Sequence, residues 1–423
     1  MKSKASLSLM LVLSFALFSE PSWAVRPPKI FNCGTLLARS QAFSGRFGGL
    51  VSPGRTSENT LFSGLSAFHV LVMLGLGADG ETKVELQRFL GIDPSVSFDD
   101  VARLLGETLT AIQKPVPNSS VQVSAASFLY ANSGIGVSFQ APYLSTLRTT
   151  LNGVAQALDF RDPFSLHTIS GTIEKATGGA VKDIVKQLKP SGAAVLVSTL
   201  LAKGKWLQPF SKTQTLEGDF VHFVDVLGKT AKKKLPFMID LRTVDYALAD
   251  GVQVVRLPLD DQKTMLELTL PDADTSWLDY RGFRDQYLRG FSYSGKFVRT
   301  ELSLQIPRFR VDFRAELRKQ LRPALPRTFS EDAQFGRISN TPVFVDDVIH
   351  QAVLDVNEVG VLAAAATAVI MARPTMLRLP GTVFRADHPF GVRVIQVGEI
   401  GAVTELFRGW VANPEVGTEP TTP

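Results

Sequence analysis

Apolar residues in the first half of the chain recur mainly with the spacing of helices. The stretch 65–78 is mostly apolar, and apolar residues within 181–188 repeat at helical spacing after a Gly-Gly pair. Thr82 is followed three positions later by Glu85, which is the spacing of a capping box, so a helix is predicted to begin there. The first half is therefore predicted to be mainly helical with interspersed strands.

The second half has the alternating pattern of strands. Apolar and polar residues alternate over 302–306, and the alternation resumes out of phase over 309–313. Pro307 lies at the change of phase, where a bulge or strand end tolerates a residue without a backbone N–H. Residues 343–356 predict a further strand.

Residues 392–397 and 403–411 predict a terminal β-hairpin, because a short Gly-containing turn separates them. Runs of helix followed by runs of strand favour an α+β architecture over regular βαβ winding. Since neither an internal repeat nor a linker is found, residues 25–423 are predicted to form one domain. Its polar, Pro-rich tail, 415–423, is predicted to be disordered.

The first 24 residues have the pattern of a signal peptide. Lys2 and Lys4 precede a mostly apolar run over 5–18, and small residues favour cleavage after Ala24. The protein is therefore predicted to be secreted or periplasmic. The run is short for a span, and no later segment approaches ~20 uninterrupted apolar residues, so no membrane partner is predicted. Cys33 is the only cysteine, which excludes an intramolecular disulfide.

The charge pattern does not favour nucleic-acid binding. The 423 residues carry a net charge of +5, spread along the chain. Nucleic-acid binding usually needs a concentrated basic face. No nucleic-acid partner is therefore predicted.

Residues 75–80 match the dinucleotide-binding pattern G-x-G-x-x-G, with Asp93 at a suitable distance. The helical pattern between them leaves no room for the second strand that should carry the acid. Two helices joined by a Gly-rich turn are therefore favoured over a nucleotide-dependent enzyme. Since neither H-E-x-x-H nor G-x-S-x-G occurs, no enzymatic activity, metal or cofactor is predicted.

Residues 359–372 form an uncharged segment that fits two conformations. Four consecutive alanines favour a helix by propensity. As a strand, the segment would place five small or β-branched residues on one face: Val361, Ala363, Ala365, Thr367 and Val369. That face could be buried in a sheet, whereas a charge on it would cost several kcal/mol or more. A segment suited both to an exposed loop and to an internal strand indicates a stored conformational change.

Several motifs resemble those of the serpin family. The segment 355–360, followed by 363–367, resembles the hinge of members that inhibit proteases. Other stretches resemble serpin motifs at 59–66, 196–199, 203–206, 349–352, 384–390 and 407–414. The matching stretches run over nearly the whole predicted mature chain.

The resemblance implies a serpin fold of three β-sheets, eight or nine helices and an exposed reactive-centre loop. It also implies a monomeric suicide substrate without a cofactor, whose partner is a target serine protease in a covalent complex. The cut loop would insert into the central sheet and trap the acyl-enzyme. A non-inhibitory binding, carrier or chaperone-like protein on the same fold stays open. The absence of charged, bulky or proline residues between 360 and 369 favours the inhibitor.

The resemblance assigns roles to individual residues. The implied hinge residues are Glu358, Gly360, Val361, Ala363, Ala364, Ala365, Ala366 and Thr367. Ser63, Ser66 and His350 would form the shutter cluster beneath the central sheet. Trp206 would pack at the breach, the place where the loop first enters. Ser198 stands where the family has an asparagine, so the hydrogen bonds of the shutter are expected to be rearranged.

The usual spacing from the hinge places the cleaved bond near Pro374-Thr375. The implied reactive-bond region is Arg373, Pro374, Thr375 and Met376. Arg373 suits a trypsin-like enzyme but is followed by a proline that most such enzymes resist. Thr375 or Met376 would suit an elastase-like or chymotrypsin-like enzyme, so the target protease stays open.

Overall fold

The computed structural model describes residues 31–52, 57–225, 227–273, 275, 277–293, 295–361, 381–398 and 402–419. The predicted signal peptide lies outside these ranges. So do the hinge residues 363–367 and the predicted reactive-bond region, 373–376.

Eight α-helices are found in the described part of the chain, six of them in its first half. They are α1 (Cys33–Val51), α2 (Gly64–Leu76), α3 (Gly80–Leu90), α4 (Phe98–Gln113), α5 (Ala141–Thr146), α6 (Pro163–Ala176), α7 (Trp277–Leu288) and α8 (Arg318–Leu321). None of the helices in the described ranges is both long and apolar enough to cross a bilayer.

The strands lie mainly in the second half, as the alternating pattern predicts. They are β1 (Thr60–Phe62), β2 (Gln122–Asn132), β3 (Val154–Leu158), β4 (Ala194–Lys205), β5 (Thr215–Phe223), β6 (Thr230–Ala249), β7 (Val252–Pro258), β8 (Thr264–Pro271), β9 (Val298–Pro307), β10 (Phe309–Glu316), β11 (Val345–Val356), β12 (Gly360–Val361), β13 (Val383–Arg385), β14 (Phe390–Val397), β15 (Val403–Val411) and β16 (Glu415–Val416).

The strands form two hydrogen-bonded networks. One is a seven-stranded sheet in the order β16, β10, β11, β12, β4, β2, β3, in which β11 also pairs with β4. The other network has nine strands and contains the 20-residue strand β6. The first part of β6 pairs with β5, its middle with β9 and its end with β7. The fold is therefore the predicted α+β architecture, with one seven-stranded sheet and a nine-stranded network that is continuous through β6.

The seven-stranded sheet is covered on both faces. Helix α2, which is buried at every position, packs against one face. Leu196 and Leu200 of β4 belong to the main core on that side, whereas Val195 and Val197 join a second apolar cluster with Ile169 of α6. A strand placed beside the middle of β4 would therefore need uncharged side chains on both faces.

The predicted change of phase at Pro307 is a change of sheet. β9 ends at Pro307 and pairs with β6, while β10 begins at Phe309 and pairs with β11. The predicted strand 343–356 corresponds to β11. The predicted terminal hairpin is formed by β14 and β15, which pair in antiparallel register from Phe390 opposite Val411.

The predicted start of a helix at Thr82 is wrong, because α3 begins at Gly80. The hydroxyl of Thr82 accepts a hydrogen bond from the backbone N–H of Gln334 at 2.9 Å. The carboxylate of Glu85 accepts one from the N–H of Thr328, also at 2.9 Å. Both side chains serve tertiary contacts instead of a cap, and a local motif does not reveal such contacts.

The Gly-rich segment 75–80 joins two helices, as the favoured interpretation predicts. α2 ends at Leu76, α3 begins at Gly80, and the next element is α4 rather than a strand. A Cβ on Gly75 would lie 2.3 Å from the Phe98 ring, so this glycine permits close packing of α2 against α4. The arrangement is not that of a dinucleotide-binding βαβ unit.

Residues 181–188 are not helical, so the prediction from their spacing is wrong. Gly178 and Gly179 adopt positive φ values of 56° and 81° and turn the chain away from α6. The apolar side chains that follow are buried in the second cluster against the seven-stranded sheet. The carbonyl of Ile184 accepts a hydrogen bond from Nε of Arg314 at 2.6 Å. The sheet thus buries the apolar side chains whose spacing predicted a helix.

The prediction of disorder from residue 415 onwards is wrong for 415–419. Glu415–Val416 forms β16 and pairs with β10 at the edge of the seven-stranded sheet. Thr418 donates hydrogen bonds to the carboxylate of Asp355. Backbone pairing and a buried acid hold this polar segment, and its composition alone does not show either contact.

Candidate functional site

Strands β4 and β11 are joined at one end and separated at the other. In the first half of β11 the two strands pair directly, in parallel. Further along they part, and β12 lies between them. Val361 pairs with Val356 of β11 and with Gly204 of β4, and Gly360 pairs with Lys205. Two residues of the predicted hinge are therefore already paired at the open end of the sheet.

Asn357 organises the turn that leads into β12. Its side-chain oxygen accepts hydrogen bonds from the backbone N–H groups of Val359 and Gly360, at 3.0 and 3.2 Å. Its backbone carbonyl accepts one from the indole Nε1 of Trp206, at 2.8 Å. A Cβ on Gly360 would lie 2.0 Å from the carbonyl oxygen of Gly204, so only glycine fits there. The structure thus places Trp206 and Gly360 together at the open end of the sheet, the position predicted for the breach.

Glu358 links this turn to the nine-stranded network. The residue is 1% exposed. Its Oε1 accepts a hydrogen bond from the hydroxyl of Thr215 on β5 at 2.8 Å and lies 3.6 Å from a guanidinium nitrogen of Arg308. Removing either partner would leave a buried charge with less compensation, which is strongly destabilising. Glu358 therefore ties the turn to β5 and to the residue that precedes β10.

His350 lies where β4 and β11 are still paired. Its Nε2 accepts a hydrogen bond from the backbone N–H of Ser63 at 3.1 Å, which leaves the ring proton on Nδ1. Nδ1 then donates to the hydroxyl of Ser198, 2.9 Å away on β4. Ser63 also caps α2, because its hydroxyl accepts the N–H of Ser66 at 3.1 Å. The residues predicted to form the shutter are thus brought together, and Ser198 bonds directly to the histidine across the pair of strands.

Sequence reasoning missed a second buried histidine, His69 of α2. Its Nδ1 lies 3.1 Å from the hydroxyl of Ser127 on β2. Ser127 stands opposite Ser198, and Ser198 stands opposite His350. A polar row therefore crosses three strands above α2. The sequence does carry a signal, because His69 interrupts the mostly apolar stretch 65–78. The helical spacing of that stretch does not show what the ring contacts.

Burial lowers the pKa of His69 and of His350 to about 4, and for His69 it outweighs the opposing effect of the Leu151 backbone. The unfolded chain would protonate both rings below about pH 6.5. Between these pKa values the unfolded state binds more protons than the folded state. The free energy of unfolding should therefore fall as the pH drops from about 6.5 to about 4.

We expect the substitution His69→Gln to remove one histidine's share of this pH dependence. Between about pH 7.5 and about pH 5, the wild type should lose about 2 kcal/mol more unfolding free energy than the variant. Denaturant unfolding at the two pH values measures the difference. His167→Gln is the matched control, because His167 is exposed. Equal pH dependence in the wild type and His69→Gln would contradict the assignment.

The described residues of this site form no group suited to hold a metal ion. Within the described ranges, no group of three or more histidine, cysteine, aspartate or glutamate side chains is placed to hold a metal ion. The polar groups of the breach and shutter bond instead to backbone and hydroxyl groups. Their arrangement holds two strands together at one end and a turn in place at the other.

Sequence comparison identifies the family. A family model described as serpin (serine protease inhibitor) matches residues 38–414, and the chain belongs to this family. The plasma serine protease inhibitor of Bos taurus is 26% identical over 367 residues, which cover 85% of this chain and 86% of the relative. Antithrombin-III of Mus musculus is 28% identical over 370 residues, covering 85% of this chain and 77% of the relative.

Solved structures show the same fold. Human kallistatin superposes with a TM-score of 0.74 at 23% identity, covering 91% of this chain and 99% of that one. Human thyroxine-binding globulin, solved in complex with thyroxine, gives a TM-score of 0.72 at 21% identity and covers 90% and 99%. The proteins that this chain resembles thus include one named as a serine protease inhibitor and one named for binding thyroxine. Membership alone does not decide between an inhibitor and a carrier.

Proposed function

We propose that this protein is a secreted, monomeric inhibitor of serine proteases and not an enzyme. It would act as a suicide substrate that is cut within the region 373–376 and traps the protease by inserting its loop between β4 and β11. The observation that carries the proposal is the position of β12. Val361 is 1% exposed and pairs with both strands, which is the arrangement that the first step of such an insertion would require.

The register at β12 indicates where the following residues would lie. Val361 stands opposite Gly204 and Val356, and an antiparallel strand continuing from it would step back along both neighbours. The inward row would place Ala363 beside Ala202 and Leu354, Ala365 beside Leu200 and Ala352, and Thr367 beside Ser198 and His350. Each of these six neighbours is buried. Small residues are what such a narrow space would accept.

Thr367 has a special place in this register. It would separate Ser198 from His350, which are now 2.9 Å apart and hydrogen-bonded. A threonine hydroxyl can both donate and accept a hydrogen bond. It could therefore replace the bond that each partner loses, so that opening the shutter would leave no buried polar group without a partner.

The chemistry would be that of an interrupted peptide hydrolysis. The protease's serine would attack a loop carbonyl, form an ester with the new carboxyl end and release the following segment as an amine. Insertion of the cut loop would then carry the ester-linked enzyme away and distort its catalytic site before water completes the reaction. All of the chemistry belongs to the protease, and the inhibitor supplies only a conformational change.

One observation favours a second candidate, a carrier of a small ligand. A cavity of about 740 Å³ lies between α1, α4 and the β14–β15 hairpin. Apolar residues make up much of its lining, among them Leu37, Ala111, Ile112, Val116 and Val397. Ligand pockets are typically about 300–1,000 Å³ and mostly apolar. The paired, buried Val361 makes the inhibitor the better proposal, because a carrier does not need a loop prepared for insertion.

A panel of serine proteases of trypsin-like, chymotrypsin-like and elastase-like specificity tests the proposal. We expect an SDS-stable adduct with at least one of them, and the mass of the released C-terminal peptide would identify the cleaved bond. Cleavage by all three classes without any adduct would reject the inhibitor and leave the carrier. N-terminal sequencing of protein recovered from the medium or periplasm should begin at Val25 if the predicted signal peptide is removed.

A further inference from the structure

The C-terminal tail reaches the turn of the hinge. Its first two residues form β16, with Val416 opposite Phe309 of β10. The backbone N–H of Gly417 donates to the carbonyl of Arg308 at 3.3 Å. A Cβ on Gly417 would lie 2.8 Å from the carbonyl oxygen of Val356, so the tail packs closely over the end of β11. This segment lies beyond residue 414, the last that the family model matches.

Thr418 makes three hydrogen bonds at the end of β11. Its backbone N–H donates to Oδ1 of Asp355 at 2.9 Å, and its hydroxyl donates to Oδ2 of the same carboxylate. Its carbonyl accepts from the side-chain Nδ2 of Asn357 at 3.1 Å. Asp355 and Asn357 are 3% and 1% exposed, so these bonds are formed to buried groups. Arg310 adds a further contact to the carboxylate at 3.3 Å.

The contact with Asn357 connects the tail to β12. One end of the Asn357 carboxamide holds the N–H groups of Val359 and Gly360, and the other end is bound by Thr418. With both ends bound, the side chain is fixed in one rotamer and orientation. That orientation sets the turn which places Val361 between β4 and β11.

We propose that residues 415–418 form a clasp that positions the hinge, with Thr418 as its positioning residue. Thr418 acts through Asp355 and Asn357 and keeps the first two loop residues paired before cleavage. A loop whose first residues are already paired inserts faster, so the clasp raises the fraction of cleavage events that end in a trapped protease. This last statement rests on the proposed inhibitory function, whereas the effect on the hinge itself does not.

The substitution Thr418→Pro removes both donations to Asp355, because proline has neither an N–H nor a hydroxyl. Losing hydrogen bonds to a buried charged group should raise hydrogen–deuterium exchange at the Val359 and Gly360 amides about tenfold. Thr418→Ser keeps both donors and should restore the wild-type rate. Val416→Thr is the control, since the Val416 side chain is 49% exposed and lies two residues before Thr418 in the same tail. A general effect on the tail would move the control as well and would contradict a specific role of Thr418.

A second measurement counts how many inhibitor molecules are cleaved for each protease trapped. Thr418→Pro should raise this number about tenfold if the loss of pairing is fully expressed in the rate of insertion. If hydrogen–deuterium exchange in Thr418→Pro equals that of the wild type, the clasp is overturned. If exchange rises but the number of inhibitor molecules cleaved per trapped protease does not, the role of the clasp in trapping is overturned. If the wild type traps no protease, the proposed function fails while the exchange experiment still tests the clasp.

Discussion

Replacing Val361 with arginine should turn the inhibitor into an ordinary substrate. Val361 is 1% exposed and belongs to the main core, next to Gly204 and Val356. An arginine there would have to bury its charge for the loop to insert, at a cost of several kcal/mol. Deacylation would then outrun insertion. The protease should cleave Val361→Arg at the wild-type rate, yet the SDS-stable adduct should fall at least about a hundredfold, as expected for a penalty of about 3 kcal/mol.

Val298→Arg is the matched control for this experiment. It introduces the same side chain at a valine that is 56% exposed on β9, in the other network of strands. Its adduct formation should equal that of the wild type. Undiminished adduct formation by Val361→Arg, with the loop cleaved at the expected bond, would show that trapping does not require burial of this residue.

Cleavage of the loop should make the protein far more resistant to heat. Insertion would extend β12 into a full central strand, with hydrogen bonds along both edges in place of the single ladder that joins β4 and β11 directly. About ten inserted residues at about 1 kcal/mol each give about 10 kcal/mol. At about 2 °C per kcal/mol for a large domain, the unfolding temperature should rise by about 20 °C. Differential scanning calorimetry before and after nicking by a cysteine protease within 362–380 measures the change.

The nicked Val361→Arg variant provides the control for this second prediction. It carries the same cut but should not insert its loop, so its unfolding temperature should stay near that of the uncut protein. Equal unfolding temperatures for nicked and uncut wild type would reject insertion, even if an adduct were found. A large gain in both nicked proteins would mean that the rise does not come from burying the segment after Val361.

Strands and their breaks could be predicted from the chain because the signal is local. The change of phase at Pro307 marks the passage from β9 to β10, and the hairpin of β14 and β15 follows its alternating pattern. The predictions for Thr82 and for residues 181–188 are wrong because these side chains contact residues that are distant in the sequence. The residues at helical spacing after Gly179 are buried against a sheet that passes beneath them. Periodicity reports which residues are buried but does not identify what buries them.

The candidate site shows the same difference between local signals and contacts to distant residues. The hinge and His350 could be proposed from the sequence because neighbouring residues form a family motif around them. His69 and Thr418 have no such context, since each is hydrogen-bonded to a partner far away in the sequence, Ser127 and Asp355 respectively. The composition of the tail predicts a solvated chain, and only the fold brings a buried carboxylate within reach of its hydroxyl and N–H groups.

The parallel pairing of β4 with β11 has a consequence for the direction of the proposed conformational change. Both strands run the same way, and the returning segment β12 runs opposite to each. A loop that continued from β12 would therefore exchange one parallel ladder for two antiparallel ones. Antiparallel pairing is slightly more stable per residue than parallel pairing. The inserted strand would also double the number of ladders at this point. The short turn after β11 thus gives the following chain the polarity that forms antiparallel ladders with both neighbours.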